Sequence, residues 1–238
     1  MNKLNVEIWS DVVCPFCYIG KRNFENALAQ FPYKDQIEIT WKSFQLDPTI
    51  PENVEDEYED YLIKKKGFSR EQVKGMLNNV TQMAKQVGLD YHLEKAQVAN
   101  TLKAHQLIQL AKTKQRGDEA EERLFKAFFI EGKNIADEAT LKTLGQEIGL
   151  SPEDLENFTH NEAIAYQVAQ DLQEASNIGV TGVPFFVFHH KYAVSGAQPT
   201  AVFTDVLEKV YTEWQQETTA TNFKTTEGNS CDINGKCD

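Results

Sequence analysis

Residues 4–9 (Leu-Asn-Val-Glu-Ile-Trp) alternate between apolar and polar, the period of a half-buried strand. From Pro15 the period lengthens. Phe16, Ile19, Phe24, Ala27, Leu28 and Phe31 recur at three- and four-residue steps, which predicts a helix. Residues 37–41 (Ile-Glu-Ile-Thr-Trp) alternate again. Residues 1–45 therefore read strand–helix–strand, and the right-handed crossover rule makes the two strands parallel. From about 52 to 176 the pattern is helical. Six acids in 52–60 precede Lys64-Lys65-Lys66 and Gly67: negative at a helix start, positive at its end, with a glycine stop. Ser69 and Gln72 fit a capping box opening a helix that runs to Gly88. Further helices are expected near 97–116, 118–130, 137–148 and 160–176, and Ser151-Pro152 supplies an N-cap followed by proline. After Gly179 the strand signal returns in Phe185-Phe186-Val187-Phe188, with residues 191–195 as its partner across a His189-His190 turn. Val202, Phe203, Val206, Leu207, Val210, Tyr211 and Trp214 then mark an amphipathic helix over 200–214.

This order, βαβ, then a helical block, then ββα, predicts an α/β fold with one sheet split by a large all-helical insertion. Residues 1–45 and 177–214 would form the discontinuous α/β domain and 46–176 the insertion. Residues 215–238 form a polar tail that carries Cys231 and Cys237. A chain of 238 residues fits that organisation at roughly 100–200 residues per domain.

The charge excludes some partners. With 24 Lys and Arg against 36 Asp and Glu, the net charge is −12, and no strong basic patch offsets it. Phosphate backbones and anionic membranes are poor partners for such a chain. No stretch approaches the roughly 20 apolar residues of a membrane span, and Glu7 interrupts the N-terminal segment where a signal peptide needs an apolar run. A cytoplasmic location is expected. Composition and spacing imply no oligomeric state.

Chemistry concentrates in four cysteines, placed as two close pairs at opposite ends. Cys14-Pro15-Phe16-Cys17 sits at a strand-to-helix junction. Proline at the first helical position makes Cys14 the N-cap, with its sulfur expected to face the free N–H groups and positive end of the helix, which favour thiolate over thiol. Cys17, three residues on, lies on the same face at about 5–6 Å between Cβ atoms. Cys14 then attacks and Cys17, the more buried, resolves the mixed disulfide. No second C-x-x-C or H-x₃-H supplies the partners a zinc site needs, and no G-x-G-x-x-G or phosphate loop marks a nucleotide. No metal and no cofactor are expected, with glutathione left open as reductant or co-substrate.

The joint order of these blocks resembles the DsbA-like branch of the thioredoxin superfamily. Closer still, Ser10-Asp11-Val12-Val13-Cys14-Pro15-Phe16-Cys17-Tyr18-Ile19-Gly20-Lys21-Arg22 is similar to the FrnE-type dithiol oxidoreductases of the cytosol. So are Asn100-Thr101 with Ala104-His105, Phe129 with Glu131-Gly132 and Ile135, Gly182-Val183-Pro184-Phe185-Phe186, and Val194-Ser195-Gly196-Ala197-Gln198-Pro199. The resemblance spans residues 4 to 214. It implies a thioredoxin-like fold and a cis Val183-Pro184 bond packed against the cysteine pair. Val183 backbone groups would dock an extended substrate, and Pro15, Phe16 and Pro184 would line the same groove. It also implies that the helical block, with Asn100, Thr101 and His105, overhangs the site, where His105 would meet substrate or tune Cys14; the plain alternative is a helix-surface histidine. Asp11 either holds a proton or caps a turn. Periplasmic DsbA enzymes carry histidine where this chain has Phe16, which cannot donate to a thiolate, so a less oxidising pair is expected.

The implied activity is thiol–disulfide exchange or isomerisation on disulfide-containing proteins or small molecules. Glutathione-dependent isomerases and kappa-class transferases share the layout but carry serine at the position of Cys14, so the presence of both Cys14 and Cys17 argues against that class. A redox-sensing module that binds clients is a further alternative. Cys231 and Cys237 flank an Asn234-Gly235 turn signal and read either as a second redox pair or as a passive pair on the tail.

Overall fold

A computed structural model describes residues 3–51, 54 and 56–219. The Cys231–Cys237 pair lies outside the described residues. The elements run β1 (Leu4–Ser10), α1 (Pro15–Gln30), β2 (Ile37–Ser43), α2 (Tyr58–Lys66), α3 (Arg70–Gln86), α4 (Leu102–Thr113), α5 (Gly117–Phe129), α6 (Glu138–Glu147), α7 (Pro152–Leu155), α8 (Glu162–Asn177), β3 (Phe185–Phe188), β4 (Tyr192–Ser195) and α9 (Thr200–Thr219). Four strands form one sheet in the order β2-β1-β3-β4. β1 and β2 are parallel, with Leu4 opposite Ile37 and Ser10 opposite Ser43. β3 runs antiparallel to β1, with Ile8 opposite Phe186, and β4 antiparallel to β3.

β1 is interior, and all its residues but Asn5 are buried. The alternation of β3 divides its side chains between two layers. Phe186 and Phe188 pack edge-on or tilted against Phe24 of α1, and Phe186 against Phe203 of α9. Phe185 and Val187 join Trp9 and Ala175 on the opposite face, where the Trp9 indole N–H donates to Asp171 O of α8 at 3.0 Å. α1 and α9 thus cover one side of the sheet, while α8 and α5 pack against β2. Phe125, Phe128 and Phe129 of α5 are fully buried.

The local signals that set these elements act through ordinary capping chemistry. Ser69 and Gln72 exchange both bonds of the capping box. Gly67 ends α2 at φ 67°. His189 and His190 turn the last hairpin at φ 49° and 53°, the paired left-handed backbone a two-residue hairpin requires. The helix expected over 97–116 starts only at Leu102. Asn100 is the reason: its side-chain oxygen accepts from Leu102 N–H at 3.0 Å and its amide donates to Ile50 O at 2.7 Å. Gln97 pairs in a bridge with Glu57. Residues 97–100 are therefore held non-helical by tertiary bonds that helical periodicity does not register. No described helix is long and apolar enough to cross a membrane.

Candidate active site

β1 ends at Ser10 and the chain turns sharply. Cys14 N–H closes the turn on Asp11 O at 2.9 Å. The Asp11 carboxylate accepts Leu46 N–H at 2.8 Å, tying the turn to the segment after β2. Pro15, with no N–H to satisfy, opens α1 behind the N-cap Cys14. Tyr91, from the connection between α3 and α4, donates its hydroxyl proton to Pro15 O at 2.8 Å and stacks on Phe129.

Both described cysteines are free thiols. The Cys14 sulfur caps none of the helix N–H groups. It donates instead to Val183 O at 3.5 Å, which corrects the expected orientation. A thiol carries a proton to give, and the Val183 carbonyl lies within reach. Cys17 is 1% exposed, and its N–H bonds Cys14 O at 3.0 Å. Burial pushes the Cys17 thiol well above its ordinary pKa, and the adjacent Cys14 side chain pushes it further.

The opposite wall is the segment before β3. Val183-Pro184 is cis, and Pro184 O accepts Gly196 N–H at 2.8 Å. Pro184 approaches α1 closely at Gly20, where a Cβ would stand 3.0 Å from Pro184 Cγ and 3.5 Å from Phe186 Cζ. Gly20→Leu is expected to lower stability by about 1–3 kcal/mol and to slow disulfide exchange, because it drives this wall away from Cys14. Denaturant midpoints and turnover rates together check this, and an unchanged midpoint overturns it. Phe16, 42% exposed, stands at the open edge. Burial raises the pKa of both Tyr58 and Tyr91, and the charge of Cys14 adds to each. They also line a 1220 Å³ cavity with Glu57, Lys74 and Leu77 that contains neither cysteine.

Cys14, Pro15, Phe16, Cys17, Val183 and Pro184 thus converge. His105 is 1% exposed, neither a surface histidine nor a group open to substrate, because the middle of α4 is buried on every side. It lies beneath the turn, Nε2 at 3.4 Å from Asp11 Oδ1. Burial opposes its protonation, but Asp11 and the nearby Glu121 charge outweigh burial and raise its pKa. Periodicity overlooked Glu121, since its neighbours Asp118, Glu119 and Glu122 make the start of α5 look solvated. The signal was its spacing, one turn from Phe125 and two from Phe128 on the apolar stripe. Burial pushes the Glu121 carboxyl up to about 7, against the opposing influence of Ser10, His105 and Lys21. Among the described residues no group of three or more His, Cys, Asp or Glu is arranged to hold a metal ion.

A model of the DSBA-like thioredoxin domain matches residues 5–208. The chain belongs to that family. A probable DsbA oxidoreductase from Streptomyces coelicolor of known structure is 34% identical, with a TM-score of 0.85 over 99% of this chain and 98% of that one. An uncharacterized protein, YwbO, of Bacillus subtilis is 28% identical over 224 residues, 90% of this chain and 98% of the relative. The cytosolic disulfide reductase DsbM of Pseudomonas aeruginosa, solved with glutathione, shares the fold at 15% identity and a TM-score of 0.60, covering 91% of this chain and 100% of that one. The four-stranded sheet with its many helices is the DSBA-like thioredoxin fold.

Proposed function

We propose that this DSBA-like protein is a FrnE-type thiol–disulfide oxidoreductase or isomerase that works in the cytoplasm on disulfide-containing proteins or small molecules. The observation that carries the reading is the Cys14 thiol, at the N-cap of α1, held on Val183 O with Cys17 one turn behind it. Cys14 attacks a substrate disulfide as thiolate, and one substrate sulfur leaves as thiolate. Cys17 then attacks the Cys14 sulfur, the Cys14–Cys17 bond forms, and the second substrate sulfur departs. The substrate gains two electrons and the enzyme dithiol loses them; the reverse sequence oxidises a substrate dithiol. The Val183 backbone pairs with an extended substrate strand, with Pro15, Phe16 and Pro184 around it. Glutathione serves as reductant, and Cys231–Cys237 as a second redox pair exchanging with Cys14–Cys17.

A glutathione redox titration, acid-quenched, alkylated and mapped by peptide mass, tests this at all four cysteines. Reversible closure of Cys14–Cys17 near the cytosolic poise is expected. Accumulation on Cys14 of a glutathione adduct that Cys17 never displaces overturns the dithiol mechanism in favour of glutathione-dependent chemistry. Cys231–Cys237 thiols that never change state in the same samples remove the tail from the cycle.

A further inference from the structure

The Phe16 side chain cannot donate a hydrogen bond to Cys14, which leaves the backbone at the start of α1 as the local source of donors. An N-cap side chain accepts from the second or third helical N–H. Pro15, at the first position, has no N–H. Cys17 N–H, at the third, already bonds Cys14 O at 3.0 Å. Phe16 N–H remains, and it has no partner among the described residues. The protonated Cys14 sulfur does not take it and donates to Val183 O at 3.5 Å. A thiolate has no proton to give. Loss of the proton therefore sets two acceptors, sulfur and carbonyl, against each other and turns the sulfur toward the free N–H.

The same peptide group is held from its other end. Pro15 C=O and Phe16 N–H belong to one planar trans peptide and point in opposite directions. Tyr91 donates its hydroxyl proton to Pro15 O at 2.8 Å. Tyr91 is 4% exposed, and its ring stacks on Phe129 at 4.6 Å and on Tyr18 at 6.1 Å, so the hydroxyl is fixed in place. A donor on the carbonyl draws charge along the peptide and strengthens its N–H, as neighbouring bonds in a hydrogen-bonded chain polarise one another. Burial keeps the Tyr91 hydroxyl protonated, and the charge of Cys14 acts in the same sense. The bond to Pro15 therefore persists when the thiolate forms.

We infer that Tyr91 is a positioning residue for Cys14, strengthening through the Pro15–Phe16 peptide the N–H that receives the thiolate. The inference rests on the reading above in which Cys14 is the nucleophile. Tyr91 acts through Pro15 and not on the sulfur. A hydroxyl that bonds Pro15 O only because it is buried would support the fold and leave the ionisation of Cys14 alone. Cooperative strengthening of a bond to a charged group by a tenth to a third is a small effect, about 0.3–0.5 pH unit in the ionisation it favours. At a pH where the thiolate is the minor form, that is about a two- to threefold change in its population.

Iodoacetamide alkylation of the reduced full-length protein, followed at Cys14 by peptide mass over a range of pH, reads the thiolate directly. Tyr91→Phe keeps the ring and removes the hydroxyl. Its alkylation profile at Cys14 is expected to move about 0.3–0.5 pH unit alkaline. Alkylation is then about two- to threefold slower on the rising part of the profile, and the two proteins converge at its plateau. Coincident profiles, a shift toward acid, or a rate ratio that stays constant across the range overturns the inference, because in each case the hydroxyl does not favour the thiolate. A measurement that needs no variant follows the backbone amide of isotope-labelled Phe16 in the natural protein by magnetic resonance. Its proton signal is expected to move downfield as Cys14 ionises, and an amide that does not respond overturns the inference. Both readouts precede any exchange. If they behave as expected while Cys14–Cys17 never closes in the redox titration, the dithiol reading fails and the positioning of Cys14 by Tyr91 stands.

Discussion

Reduced Cys17→Ser protein mixed with a disulfide substrate is expected to stop after one half-reaction, with one substrate sulfur bound to Cys14, the other released, and the mixed disulfide never resolved. Cys14→Ser is expected to stop earlier, with turnover down on the order of 1,000-fold or more and no covalent adduct. The asymmetry follows from position. Cys14 stands at the helix start, against Val183 O and next to the exposed Phe16. Cys17 is sealed beneath it, and burial with the adjacent Cys14 holds its proton in place. An external disulfide is therefore expected to be attacked by Cys14, 4% exposed, rather than by Cys17, 1% exposed. Intact mass of the acid-quenched variants decides the matter. An adduct on Cys17 in Cys14→Ser, or steady turnover by Cys17→Ser, overturns the assignment of roles.

Much of this site was legible in the chain because it is local. Proline after Cys14 sets the N-cap, three residues put Cys17 on the same helical face, and the alternation in 4–9 and the apolar run 185–188 place both walls on one sheet. What was not legible depends on contacts between distant segments. The orientation of the Cys14 sulfur turns on a carbonyl 169 residues away. His105 is buried because α4 is packed by α5, α6 and α8, a degree of enclosure that a mixed sequence such as Leu-Lys-Ala-His-Gln does not declare. Glu121 looked like one of several solvated acids, since a single charge on an apolar stripe is a weak sign beside three charges off it.

The same buried groups predict how stability responds to pH. Glu121 titrates near 7 in the folded chain against roughly 4.3 unfolded. A folded value above the unfolded one means that the native state holds the proton more tightly. Its stabilising contribution is complete below about pH 4.3 and is lost as pH rises through 7. At about 1.4 kcal/mol per unit, ionising this carboxyl in place costs roughly 4 kcal/mol. His105, also raised, acts with the same sign, its contribution present below about pH 6.5 and lost as pH rises past its folded value. Asp47 acts oppositely and lower on the scale. Its bonds to Lys65, Thr49 and Tyr61 hold its carboxyl below the usual range, so its contribution is lost only as pH falls below about 4. The three together place maximal stability at about pH 4 rather than at neutrality. Urea midpoints are expected to fall between about pH 5.5 and 8.5 by the equivalent of roughly 2–3 kcal/mol. Glu121→Gln removes the ionisation, so more than half of that slope is expected to disappear and the variant to be the more stable protein at the alkaline end. A natural protein whose midpoint is level or rises over this range contradicts a buried, titrating Glu121.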